Sequence, residues 1–267
     1  MPVLTTSDDI RLHYVDEGPR DAPVLLIVPG WSGSARWFEQ QISGLSGRFR
    51  VVCFDPRGQG ESERTDAGQR MERVAKDLHD LITALDLREI TLLGWSLGVS
   101  TVLSYVDVFG CGVLRRIALV CGGPRLINSG EWELGFVDVP QALDWVALQR
   151  KSMGEAADFV LPQFFRDERP AEQLARLRSE ITSMNPAGSA AMCWNVLNQD
   201  YTDVLAKVQV PTLVLTGAHD RVIPAGNGPY LAETIGDARL TVFDDSAHCP
   251  FIEEPDRFNE ELASFMA

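Results

Sequence analysis

Five consecutive residues, Gly94-Trp95-Ser96-Leu97-Gly98, carry the pattern through which a serine can act as a nucleophile. A strand-like run, Ile90-Thr91-Leu92-Leu93, precedes them, and a helix-like run from Val99 to Tyr105 follows. Between a strand and a helix, Gly-x-Ser-x-Gly makes a turn so sharp that the serine hydroxyl projects above the sheet. The turn accounts for both glycines. Side chains at 94 or 98 would meet the neighbouring strand and helix, and Ser96 must take an unfavourable backbone conformation.

A serine hydroxyl is a weak nucleophile near neutral pH, so it needs a base and a third group to orient that base. Only four histidines are present. His13 falls in a predicted hairpin and His79 within a helix beside Leu78 and Asp80, which suits surface or structural roles. His248 follows the strand-like Val242-Phe243 through Asp244-Asp245-Ser246-Ala247, at the edge where an open parallel sheet presents its ligand site. It is the expected base. Asp220, after Leu213 to His219, is the expected orienting carboxylate, with His219 shaping the same loop. Asp55 opens the turn Pro56-Arg57-Gly58-Gln59-Gly60 ahead of the nucleophile and is expected to make that turn; Asp244 and Asp245 are expected to be loop groups. Acyl transfer also needs donors for a developing oxyanion. The backbone N–H of Leu97 and that of Trp31, in the loop Pro29-Gly30-Trp31-Ser32-Gly33, are the candidates, with Gly30 allowing close backbone approach.

The elements that must position these groups read as follows. Val3 to Thr6 and Ile10 to Val15 form a hairpin around Ser7-Asp8-Asp9. Continuous apolar runs then mark buried strands at Val24 to Val28, Val51 to Phe54, Ile90 to Leu93, Ile117 to Val120, Leu213 to Leu215 and Leu240 to Phe243. Helix-period stretches separate them, one bearing Val74, Leu78, Leu81, Ile82 and Leu85, another Phe258, Leu262 and Phe265 after Pro255. This is the α/β class: a mostly parallel central sheet flanked by helices. The alternation stops between about 126 and 207, where helical segments carry many large side chains. The expectation is a core of 1–125 and 208–267 with a helical cap at 126–207. Most aromatic residues there would fill the cap's own core. Trp132, Phe136, Trp145 and Trp194, together with Trp31, are the candidates to line a substrate pocket.

Composition narrows the alternatives. A formal charge of -14 disfavours a nucleic-acid partner. No apolar run approaches membrane-spanning length, and Met1-Pro2-Val3-Leu4-Thr5 lacks the marks of a signal peptide. The five cysteines are scattered without a Cys-x-x-Cys pair, which fits reduced thiols in the cytoplasm rather than a zinc site or disulfide framework. No Gly-x-Gly-x-x-Gly opening and no phosphate loop ending in Gly-Lys-Ser/Thr are present, so no nucleotide cofactor is expected.

With these pieces assembled, the chain resembles the α/β-hydrolase superfamily over its whole length. The matching segments are Pro29-Gly30-Trp31, Phe54 to Ser62, Gly94 to Gly98, Gly217-Ala218-His219-Asp220 and Ser246 to Phe251. Within it the chain is similar to carboxylesterases of the pimeloyl-carrier-protein methyl ester type, to metal-free haloperoxidases or perhydrolases, and to enol-lactonases. The resemblance implies nucleophile, acid and base at Ser96, Asp220 and His248, with no cofactor or metal and a small-molecule ester or lactone as substrate. Serine at 96 argues against haloalkane dehalogenases and epoxide hydrolases, which carry aspartate there. Pro29 departs from the pattern, since most relatives have histidine at this place to brace the oxyanion loop; altered loop rigidity with retained chemistry is expected. Carbon–carbon hydrolysis or perhydrolysis on the same triad is the alternative within catalysis. A ligand-binding receptor with the same fold is the alternative outside it.

Overall fold

The computed structural model describes residues 2–267. The chain opens with an antiparallel hairpin of β1 (Val3–Thr5) and β2 (Arg11–Glu17), whose turn holds Asp9 at a φ of 66°. Then come β3 (Val24–Val28), α1 (Glu39–Leu45), β4 (Arg50–Phe54), α2 (Met71–Ala84), β5 (Ile90–Trp95), α3 (Leu97–Phe109) and β6 (Leu114–Val120). Four helices follow without an intervening sheet strand: α4 (Val139–Lys151), α5 (Met153–Phe164), α6 (Ala171–Thr182) and α7 (Pro186–Leu197). The sheet resumes with β7 (Thr212–Gly217), α8 (Asn227–Thr234) and β8 (Ala238–Phe243), and the chain closes with α9 (Pro250–Glu253) and α10 (Pro255–Met266).

The eight strands form one sheet in the order β1-β2-β4-β3-β5-β6-β7-β8. Pairing is antiparallel at β1/β2 and β2/β4 and parallel from β4 onward. Every residue of β3, β4 and β5 is buried, the signature of strands covered on both faces. Alternation divides them between two cores. Leu25, Ile27, Val51, Cys53, Leu93 and Trp95 pack towards Phe38, Phe251, Phe258 and Leu262. Leu26, Val28, Val52, Phe54 and Leu92 pack towards Val74, Leu78 and Leu81 of α2 and Val102 and Val106 of α3.

The strand order reverses between β3 and β5, which lie side by side while their preceding and following neighbours run to opposite edges. Loops leaving the carboxyl ends of two such strands diverge and open a crevice. The loop after β3 is Pro29 to Gly33 and the turn after β5 holds Ser96, so topology alone sets these segments side by side. Local signals define the inserted helices. Asp138 and Gln141 cap α4 reciprocally, and the Asn185 side chain accepts from the amides of Ala187 and Gly188 where Pro186 opens α7.

Candidate active site

Ser96 sits between β5 and α3 at φ 56° and ψ -120°, the strained geometry expected of the turn. The two glycines around it have steric causes. A Cβ on Gly94 would collide with the carbonyl of Gly98, and one on Gly98 with the carbonyl of Val28 in β3. Gly30 faces the same turn from the other side: a Cβ there would lie 3.0 Å from Ser96 Cβ and 3.0 Å from the Trp95 ring.

The structure brings the three expected side chains together. Ser96 Oγ lies 2.9 Å from His248 Nε2, and His248 Nδ1 lies 2.9 Å from Asp220 Oδ2. Because the carboxylate only accepts, Nδ1 carries the proton and Nε2 is left to accept from the serine hydroxyl. The other carboxylate oxygen, Asp220 Oδ1, accepts from the amides of Val222 at 2.8 Å and Ile223 at 3.0 Å, which fixes the acid without using its imidazole-facing oxygen. The imidazole is fully buried, wedged between the rings of Trp95 and Phe164. Its own backbone is held on both sides: its N–H donates to Phe164 O at 3.1 Å, and its carbonyl accepts from the Trp95 indole at 2.9 Å.

Two backbone amides near Ser96 are without an acceptor among the described residues. Leu97 is the first residue of α3, where helix N–H groups lack internal partners and carry the positive end of the dipole. Neither the Leu97 nor the Trp31 amide donates to any group among the described residues. Both residues border a cavity of about 70 Å³ beside Ser96. Its walls are otherwise apolar: Phe136 and Trp145, Val160 and Phe164 of α5, Val196 and Leu197 of α7, and Val222 and Ile223 just after Asp220. Among the described residues no charged side chain lines it.

Of the expected pocket residues, Trp31, Phe136 and Trp145 take their places in this wall; Trp132 and Trp194 do not. The Trp132 indole donates to Arg125 O at 3.1 Å and its ring meets Tyr230 edge-on, which turns it away from Ser96. Trp194 shares α7 with Cys193 and Val196, which face the cavity, and stands outward and 40% exposed. Val222 and Ile223 were not anticipated, although an apolar pair directly after the expected acid is a readable signal. Trp95 was not anticipated either.

The remaining histidines and acids are structural. His13 is buried, with Nδ1 2.8 Å from Asp55 Oδ2, and Asp55 also accepts from the amides of Ala35 and Glu61. His79 stacks on Phe109 with ring centroids 4.2 Å apart. His219 is exposed, its amide donating to Ser246 O at 3.0 Å. Asp245 pairs with Arg166. Beneath the acid, Cys121 is buried at a φ of 45°, and burial together with the Asp220 carboxylate pushes its thiol well up, so it stays neutral. Among the described residues, only Cys121, Asp220 and His248 bring three candidate metal-ligand atoms within 4.8 Å of one another. Both ring nitrogens of His248 are already committed to Ser96 and Asp220, so a cation there would have to displace one of these hydrogen bonds.

The chain is also similar to known proteins over its whole length. A family model described as alpha/beta hydrolase fold matches residues 23–255. A non-heme chloroperoxidase of Kitasatospora aureofaciens is 30% identical, the alignment covering 100% of this chain and 99% of the relative. A bifunctional esterase/perhydrolase of Acinetobacter calcoaceticus is 27% identical over 100% of this chain and 99% of its own. The solved structure of an enol-lactonase from Burkholderia xenovorans superposes with a TM-score of 0.88 at 26% identity, covering 99% of each chain.

Proposed function

The chain belongs to the alpha/beta hydrolase fold family, and from that premise we propose that it is a serine hydrolase cleaving an uncharged carboxylic ester or lactone through an acyl-enzyme. The observation that carries this reading is the unbroken chain from Ser96 Oγ through both imidazole nitrogens to Asp220, with 2.9 Å at each link. Support also comes from relatives named as an esterase/perhydrolase and an enol-lactonase.

The steps follow from the atoms present. His248 Nε2 takes the Ser96 proton as Oγ bonds to the substrate carbonyl carbon, and the carbonyl oxygen becomes an oxyanion received by the amides of Trp31 and Leu97. The imidazolium that forms is stabilised by Asp220. Collapse of the tetrahedral species breaks the carbon–oxygen bond to the leaving group, which takes the proton from Nε2. Water then gives a proton to Nε2, bonds to the acyl carbon, and displaces Oγ, which recovers a proton. No step requires a cofactor or metal. The apolar cavity supports an uncharged acyl group, because a carboxylate buried there would lose its hydration without gaining a partner.

The names of two relatives favour a second acceptor on the same acyl-enzyme: hydrogen peroxide in place of water, yielding a peracid. The reading is of a small-molecule enzyme in the cytoplasm, supported by five unpaired cysteines and a strongly acidic surface unsuited to nucleic acid. Among the described residues no helix is long and apolar enough to cross a membrane.

The test is turnover of a p-nitrophenyl ester panel by wild type and Ser96→Ala, beside labelling with a fluorophosphonate probe. Wild type should turn over and be labelled at Ser96; the variant should lose activity by a factor on the order of 10⁴ to 10⁶. Full turnover by Ser96→Ala would remove the nucleophile from this reading. A probe-labelled wild type that hydrolyses no ester would favour a receptor instead.

A further inference from the structure

The oxyanion loop packs on the sheet core through Trp31, and it is also tied by hydrogen bonds to the inserted helices. Pro29 has no N–H to donate and Ser32, at φ 62°, is both strained and buried with its hydroxyl unpaired. Within the loop, one backbone bond, Gly33 N–H to Gly30 O at 3.0 Å, closes the turn. The remaining ties reach outward. The Trp31 indole N–H donates to Ser189 Oγ of α7 at 2.8 Å, and the Ser189 hydroxyl donates to Gln149 Oε1 of α4 at 2.6 Å. Ser189 and Gln149 are both buried, with 2% and 0% exposure, so this relay has no water to substitute for either partner. Beyond the loop, Ser34 donates to Glu180 of α6 at 2.8 Å, and Arg36 pairs with the same carboxylate at 2.9 Å.

We infer that Ser189 and Gln149 are positioning residues for acyl transfer, holding the Trp31 indole so that its backbone amide faces the oxyanion. The inference rests on the oxyanion role proposed above for Trp31. An indole N–H buried without a partner is costly, so the ring must sit where Ser189 is. With the side chain fixed at one end and Gly30 against Ser96 at the other, the peptide plane between Gly30 and Trp31 has little freedom to rotate. An oxyanion donor acts only when it is aimed in advance, and its contribution appears in the transition state more than in the bound substrate. The insertion therefore completes the catalytic site as well as walling its pocket.

The experiment compares wild type with Ser189→Ala, Ser189→Thr and Gln149→Leu on a short-chain p-nitrophenyl ester. It also measures inhibition by an aliphatic trifluoromethyl ketone, whose serine adduct places an oxyanion in the same pocket. Ser189→Ala should lower kcat by about tenfold to a hundredfold, weaken the ketone by the same factor, and leave KM within about threefold. Ser189→Thr keeps a hydroxyl and should restore both values; Gln149→Leu should fall between. A loss confined to KM, or a fall in Tm with kcat and ketone binding unchanged, overturns the inference. Should Ser189→Ala fail to fold, Gln149→Leu is judged by the same split. An active wild type with an unaffected Ser189→Ala sinks this inference alone, whereas an inactive wild type sinks it together with the hydrolase reading.

Discussion

Trp95 donates its indole N–H to the carbonyl oxygen of His248 at 2.9 Å, joining residues 153 positions apart in the chain. Trp95 immediately precedes Ser96 at the end of β5, so this bond ties the backbone of the imidazole to the strand that carries the hydroxyl. The serine and histidine thereby share one rigid support, reinforced by the bond from His248 N–H to Phe164 O.

Replacing Trp95 with phenylalanine removes the donor and leaves the His248 carbonyl buried without a partner. Trp95→Phe should lose about 1 to 3 kcal/mol of stability and lower kcat by about tenfold as the imidazole drifts from Ser96. Thermal denaturation and steady-state kinetics on one ester check both. An unchanged kcat would show that Phe164 and Asp220 suffice to hold the ring.

Asp220 is fixed by two amides on Oδ1, an arrangement an asparagine oxygen can keep. In Asp220→Asn the amide nitrogen then faces Nδ1 and donates to it, driving the ring proton onto Nε2. That nitrogen can no longer accept from Ser96. A fall in kcat of about 10⁴ is expected with Tm almost unchanged. A loss of tenfold or less would mean that a different carboxylate orients the base.

How far these features can be read from the chain depends on what fixes them. The buried strands declare themselves, because a strand covered on both faces must be apolar throughout; Val24 to Val28 matches β3 residue for residue. The partners of Ser96 are legible for a related reason, since each follows a strand in the order the sheet demands. The insertion gives only its helical character. Which aromatic ring faces the cavity depends on how α4 to α7 pack on one another, and no local pattern encodes that. Trp145 and Phe136 turn inward, while Trp132 is captured by Tyr230 and Trp194 faces solvent. The Trp95 bond to His248 escapes notice because its acceptor is a backbone carbonyl, which any residue type would supply.

Trp145 divides two spaces. Together with Phe136 it lines both the 70 Å³ cavity at Ser96 and an outer groove of about 420 Å³ bordered by Asp144, Phe159 and Arg221. The inner space is the smaller of the two. Trp145→Ala should join the two and raise the kcat/KM ratio of octanoate to butyrate esters by about tenfold or more. A p-nitrophenyl ester series of increasing acyl length measures this directly. An unshifted chain-length optimum would mean that α5 and α7, rather than Trp145, set the limit.

Far from the site, the hairpin turn docks on α2 through charge. Asp80 accepts from the amide and hydroxyl of Ser7 at 3.0 Å and 2.8 Å, and pairs with Lys76 and Arg73. Burial opposes ionisation there, but Lys76 and Ser7 prevail and hold the carboxyl down to about 2. Asp8 on the same turn is likewise held to about 2, burial being outweighed by Arg57 and Thr6. A carboxyl depressed in the folded state stabilises the fold fully above its unfolded value near 4, and that contribution is lost as pH falls through about 2. Asp80→Asn keeps an acceptor for Ser7 but loses the ion pairs, at a cost of about 1 kcal/mol near neutral pH after solvent screening. Urea denaturation of wild type and variant at a series of pH values should find that gap constant from about pH 7 to 5 and shrinking towards pH 2. No gap at any pH would assign the docking of the hairpin to the Ser7 hydrogen bonds alone, since the variant keeps them.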